Sequence, residues 1–159
     1  MTSPSLYVDP RGQRFGASVT SVVLAVVLLT SASWLLALQA LVFALGAWDL
    51  GRQPYGVVFR RLVRQRLGPP AELEAAAPPR FAQLVGLAFA LVGLAGYLSG
   101  APLVGAVATG LALIAALLNA VFGFCLGCEL HLLLARALGR PLGRRVIAPS
   151  QPQPSRTHS

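Results

Sequence analysis

Two long stretches of this chain, residues 16–48 and 81–128, carry no charged side chain. A soluble domain keeps about a quarter of its residues charged, whereas this chain has 11 %. An apolar helix crosses a bilayer with about 20 residues, each rising roughly 1.5 Å. As one helix, the second stretch would run roughly 70 Å, so it must fold back. Leu98-Ser99-Gly100-Ala101-Pro102 supplies the turn. The first stretch is either one tilted helix of roughly 50 Å or two short helices turning near Thr30-Ser31-Ala32-Ser33.

Charge placement separates these alternatives. All 13 basic residues are arginine, against 5 acids, for a net charge of +8. With four spans, the N-terminus, the segment 49–80 and the C-terminus share one side, and every arginine lies there. The two opposite turns carry no charge. Three spans would divide the arginines between both sides. The positive-inside rule therefore predicts four spans with both termini cytoplasmic. Arginines that ring apolar segments face anionic lipid and cytosol, so nucleic acid is not an expected partner. The first apolar run is too long for a signal peptide and no A-x-A site follows it, so it reads as a retained span.

The expected fold is an all-α membrane protein: a four-transmembrane-helix bundle of two helical hairpins with an interfacial cytoplasmic helix. A cytoplasmic N-terminal segment occupies 1–15 and the membrane domain 16–140. Spans fall at about 16–31, 33–48, 82–98 and 103–124. A disordered cytoplasmic tail, rich in Pro, Ser and Gln, covers 141–159. The interfacial helix covers about 55–67. Tyr55, Val58, Phe59, Leu62, Val63 and Leu67 form its apolar face, opposite Arg60, Arg61 and Arg64. Pro69-Pro70 ends it, and an acidic, proline- and alanine-rich loop follows over 72–79. A faint repeat matches Arg14-Phe15 with Arg80-Phe81, and Ala37-Leu38 and Val42-Phe43 with Ala116-Leu117 and Val121-Phe122.

The only cysteines form the dithiol motif Cys125-Leu126-Gly127-Cys128, followed by Glu129 and His131. The last span brings Cys125 out at the cytoplasmic surface. On a continuing helix the two cysteines share a face. Such a pair exchanges disulfides, accepts sulfane sulfur or binds a soft metal. Reduced cytosol argues against a static disulfide. Nearby arginines favour a thiolate, whereas a helix C-terminus and Glu129 oppose it. Cysteines are also ordinary small apolar residues of membrane helices. The spacing and position favour chemistry, with Cys125 and Cys128 as the reacting pair and Glu129 and His131 as helpers.

Weaker features compete. Cys125, Cys128 and His131 could ligate zinc, but their spacing spreads them around a straight helix, so no metal is expected. Arg80, with Arg11 and Arg14, could bind an anion at the cytoplasmic mouth; alone each reads as a topology arginine. Asn119, Gln39 and Gln83 read as hydrogen-bonding glue between helices, and Gly123 with Gly127 as a close-approach pair. Nucleotide-binding fingerprints, catalytic triads and intramembrane carboxylates are absent, so no cofactor is expected.

Val8-Asp9-Pro10-Arg11-Gly12, Pro54-Tyr55-Gly56, Pro78-Pro79-Arg80-Phe81-Ala82-Gln83 and the run from Leu118 through Cys128 to Glu129 resemble the bacterial membrane family known as domain of unknown function 4395. The resemblance runs from about Leu6 to Leu134. It implies an actinobacterial-type plasma-membrane protein of unassigned activity, with a thioredoxin-like or rhodanese-like cytosolic partner. Together with the motif, it leads to the expectation of thiol redox or sulfur transfer at the cytoplasmic face. The alternatives are a non-catalytic membrane anchor for such an enzyme and, third, a metal-binding module. The bilayer and further copies of the chain complete the expected partners.

Overall fold

Asp9 and Pro10 set the start of the first long helix, α1 (Pro10–Thr30). The Asp9 carboxylate accepts from the Arg11 amide at 3.0 Å, and Pro10 occupies the first turn, where its missing N–H costs nothing. The helix therefore begins at Pro10, ahead of the uncharged run that starts at residue 16, and Arg11 and Arg14 belong to its opening turns. The capping signal prevails over the charge boundary. Ser31, in the left-handed region (φ 53°), closes α1 with its N–H on the Val27 carbonyl at 2.7 Å. The first uncharged stretch is thus broken, and α2 (Ser33–Trp48) follows. The computed structural model describes residues 7–68, 72–139 and 146–147.

The 55–67 segment is helical but not uniform. It comprises α3 (Pro54–Val58), a π-helical turn (Phe59–Val63) and α4 (Arg64–Leu67). The wide turn splits the expected apolar face. Phe59 is buried against Phe15, with ring centroids 5.8 Å apart, and Tyr55 is half-buried. Leu62 and Leu67 instead point outward beside the arginines. Then come α5 (Ala77–Leu98), α6 (Pro102–Phe122) and α7 (Leu126–Ala137). Gly100 (φ 77°) and Pro102 turn the chain between α5 and α6 at the expected place.

α1 packs on α6, α2 on α5, and α5 on α6. Leu24, Val27, Leu36, Ala40, Phe43, Ala90 and Ala112 form the core. The α5–α6 crossing is close enough that a Cβ on Gly96 would sit 2.5 Å from the Gly105 nitrogen. At the opposite end each hairpin caps the other. Arg14 Nη2, at the start of α1, donates to the Ala120 and Val121 carbonyls ending α6 at 3.4 and 3.2 Å. Arg80, at the start of α5, donates to the Ala47 and Trp48 carbonyls ending α2 at 3.1 and 2.7 Å. The Arg14/Arg80 half of the repeat thus has a structural counterpart. In the second helices, the capped carbonyls pair Ala47-Trp48 with Ala120-Val121, a different register from the sequence match.

Three short strands depart from the all-helical expectation. β1 (Tyr7–Val8), β2 (Glu72–Ala75) and β3 (Val146–Ile147) form an antiparallel clip with β2 in the middle. It takes in part of the segment expected as a loop over 72–79 and two residues of the tail expected to be disordered. The rest of that tail lies outside the described residues. Single strands this short carry no pattern long enough to read.

Three helices are long and apolar enough to cross a membrane: α1, α5 and α6, at 21, 22 and 21 residues. α2 is apolar but shorter, at 16 residues. In the three long helices only 17 to 28 % of the most apolar window is buried, so most of their apolar side chains face outward. Exposure on that scale fits hydrocarbon rather than water outside. Gly96→Val is expected to force α5 and α6 apart and cost roughly 1–3 kcal/mol, read as a lower thermal unfolding midpoint in detergent; an unchanged midpoint would refute the close packing.

Candidate functional site

Gly123 ends α6 because its φ of 68° suits a residue without a side chain. Its N–H reaches the Asn119 carbonyl at 3.0 Å, and the Phe124 N–H reaches Leu118 at 3.2 Å. The chain then extends through Cys125 (φ −90°, ψ 100°), and α7 starts at Leu126. The dithiol therefore does not lie on a continuing helix. Cys125 is the N-cap of a new one, and its Sγ accepts the Cys128 N–H at 3.4 Å. The helix-end contribution reverses: Cys125 faces the positive end of a helix dipole, not the negative end.

Gly123 and Gly127 do different work. Gly123 makes the turn, whereas Gly127 lets α7 seat on α5; a Cβ there would lie 2.6 Å from Ala82 Cα. That seating brings the His131 ring onto Phe81, with centroids 5.4 Å apart. His131 is thereby a packing partner of α5. Glu129 lies in the first turn of α7, its N–H on the Cys125 carbonyl at 3.0 Å. Among the described residues no three His, Cys, Asp or Glu side chains come together as metal ligands.

The two thiols are pushed apart in acidity. Cys125 is held below the ordinary thiol range, chiefly because the Cys128 thiol donates to its sulfur. Burial opposes this, the Cys128 and Gly127 amides reinforce it, and Glu74 opposes it weakly. Cys128 is pushed well up, first as the donor in that bond, then by burial and by the negative charges of Cys125, Glu74 and Glu129. Cys125 is thus the more acidic of the two thiols and Cys128 the less acidic.

Arg11, Arg14 and Arg80 do not converge on an anion. Arg14 and Arg80 cap α6 and α2, while Arg11 pairs with Asp9 at 3.2 Å and donates to the Leu67 and Gly68 carbonyls. Gln39 is interhelical glue as expected, bonded to Thr20 at 3.4 Å and to the Tyr55 hydroxyl at 2.8 Å. Gln83 accepts from Gln53 at 3.1 Å. Asn119 lines a half-open cavity of about 640 Å³ between α1, α2, the turn after α2, α5, α6 and α7. Cys125, Glu129, Gln13, Gln53 and Gln83 line it too. Gln13 and Gln53 were not singled out in the sequence. Their signal is an uncharged amide just outside an apolar run, which many solvated residues share. Glu74 also escaped notice, because it reaches the dithiol only through the β-clip.

A family model described as a domain of unknown function (DUF4395) matches residues 8–136. No curated protein and no solved structure matches the chain.

The unequal acidity of the two thiols has a pH signature. Alkylation of Cys125 should rise with pH with its midpoint below the usual thiol value of about 8.5, with Cys128 reacting only at more alkaline pH. Cys128→Ala removes the donated hydrogen bond and should move the Cys125 midpoint upward. Mass-spectrometric alkylation profiles check both, and a Cys125 midpoint above the free-thiol value would contradict the arrangement.

Proposed function

The chain belongs to this family of unassigned activity, and from that premise we propose that it is a bacterial plasma-membrane dithiol protein exchanging electrons or sulfur at the cytoplasmic face. The observation that carries this reading is Cys125 at the N-cap of α7 with Cys128 donating to it. A four-span topology with both termini cytoplasmic accompanies it. α2 would span roughly 24 Å, and the exposed indoles of Trp34 and Trp48 near its two ends suit the membrane interfaces. Leu62 and Leu67, exposed beside Arg60, Arg61, Arg64 and Arg66, suit a helical segment lying at the lipid surface.

The exchange runs in two steps. The Cys125 thiolate attacks one sulfur of a partner disulfide. A Cys125–partner S–S bond forms, the partner bond breaks, and its other sulfur leaves as thiolate. Cys128 then gives up its proton and attacks the Cys125 sulfur. The internal disulfide forms, and the second partner sulfur leaves with the electron pair. Two electrons pass from the pair to the partner, or back in the reverse direction. With a persulfide partner, Cys125 takes the outer sulfur and the donor leaves as thiolate. Glu129, whose charge acts on Cys128, stands near the proton released there.

A second reading, an anchor for a thioredoxin-like or rhodanese-like cytosolic enzyme, draws on the exposed Arg61, Arg64 and Arg66. None of them joins an ion pair among the described residues. Cys128→Ser should trap a thiol partner in a mixed disulfide with Cys125, resolved by reductant on gels, whereas Cys125→Ser should trap none. Equal trapping by both variants, or by neither, would overturn the roles assigned to the two cysteines.

A further inference from the structure

The cavity that Cys125 lines is not isolated. An apolar groove of about 560 Å³ runs along the outer face between α5 and α6, and Val85, Phe89 and Leu111 border both spaces. The groove exposes almost only carbon. On the other side, Gly12, Gln13, Leu50 and Gln53 border both the cavity and a vestibule of about 330 Å³ that carries Asp9, Arg60 and Arg64. The cavity lined by Cys125 therefore shares walls with a hydrocarbon-facing groove on one side and a polar vestibule on the other.

The lining chemistry narrows the occupant. Gln13, Gln53, Gln83 and Asn119 are neutral amides, Glu129 is the acid, and no described lining residue is an arginine. A small sulfur anion would meet a carboxylate and no countercharge. Gln13 lines the cavity, and its Nε2 is buried without a hydrogen-bond partner; a carbonyl oxygen would satisfy that donor once the amide turns to the cavity. At about 640 Å³ the cavity falls in the range of small-molecule sites.

We propose that this chamber takes a lipid-soluble quinone, a neutral cyclic dione on a hydrocarbon tail, and that the quinone oxidises the Cys125–Cys128 dithiol. The tail lies in the α5–α6 groove, and the head enters between Val85, Phe89 and Leu111 to meet the amides. The Cys125 thiolate adds to a ring carbon and a C–S bond forms. Cys128 then attacks the Cys125 sulfur. The S–S bond forms, the C–S bond breaks, and its electron pair stays on the ring. The quinone leaves as hydroquinone. One of its two protons comes from the Cys128 thiol. The other comes from water through the vestibule, replacing the proton Cys125 lost on ionising. The dithiol loses two electrons and the quinone gains two.

This inference rests on the dithiol-exchange reading, and two oxidants separate them. Reduced full-length protein in lipid nanodiscs is mixed with a decyl-tailed benzoquinone, or with a water-soluble aromatic disulfide. One quinone should be reduced per dithiol, with the disulfide seen by mass spectrometry, and Cys125→Ser or Cys128→Ser should abolish it. Gln13→Leu and Leu111→Trp should raise the half-saturating quinone concentration about tenfold and leave the reaction with the aromatic disulfide unchanged. Leu111→Phe serves should tryptophan disturb the helix pair. Oxidation by the aromatic disulfide but not by quinone would overturn this inference and leave dithiol exchange standing. A stable quinone thioether without hydroquinone, or quinone reduction indifferent to Gln13 and Leu111, would also overturn it. Failure with both oxidants would remove both readings.

Discussion

The last turn of a helix leaves carbonyl groups with no partner inside the helix, and donors from elsewhere in the chain can take them up. Arg14 and Arg80 meet that need reciprocally, each reaching from the first turns of one hairpin to the last turn of the other. The exchange pins α1 beside α6 and α5 beside α2. It also explains why three arginines that looked like an anion site do not form one: their guanidinium donors are engaged by backbone or by Asp9. Arginine suits this task because its planar fork can serve two neighbouring carbonyls at once.

The same end of the protein determines the chemistry of the cysteines. Had α6 run on through Cys125, the dithiol would face exposed carbonyls and resist ionisation. Gly123 instead breaks the helix, and two extended residues later the chain starts again. A cysteine at an N-cap gathers amide protons; a cysteine one turn in, like Cys128, is left to donate. The asymmetry between two chemically identical side chains thus comes from backbone geometry.

Much of the fold was legible because hydrophobic length and breaking residues are strong signals. The turns at Ser31 and Gly100 fall where Thr30-Ser31-Ala32-Ser33 and Ser99-Gly100-Ala101-Pro102 indicated, and the 54–67 segment is helical. The expected span at about 16–31 follows the absence of charge, whereas α1 itself begins earlier, where Asp9-Pro10 carries the capping signal. At the site, the cysteines could be named but not their environment. Gly123 had two readings, close approach or left-handed turn, and only the backbone distinguishes them. The amides of Gln13 and Gln53 look like solvated residues until α1, α2 and α5 enclose them. Glu74 affects the thiols from a strand of four residues, too short to leave a periodic trace.

The β-clip bears on how the chain comes to be made. β2 lies between β1, the first described segment, and β3, the last. During synthesis β1 can close on β2 as soon as residue 75 is out, but the other edge of β2 stays open until residues 146 and 147 emerge. By then α7 and both cysteines have already left the ribosome. Among the described elements the clip therefore completes last, so Glu74, whose charge acts on both thiols, is held between two strands only after α7 has been produced.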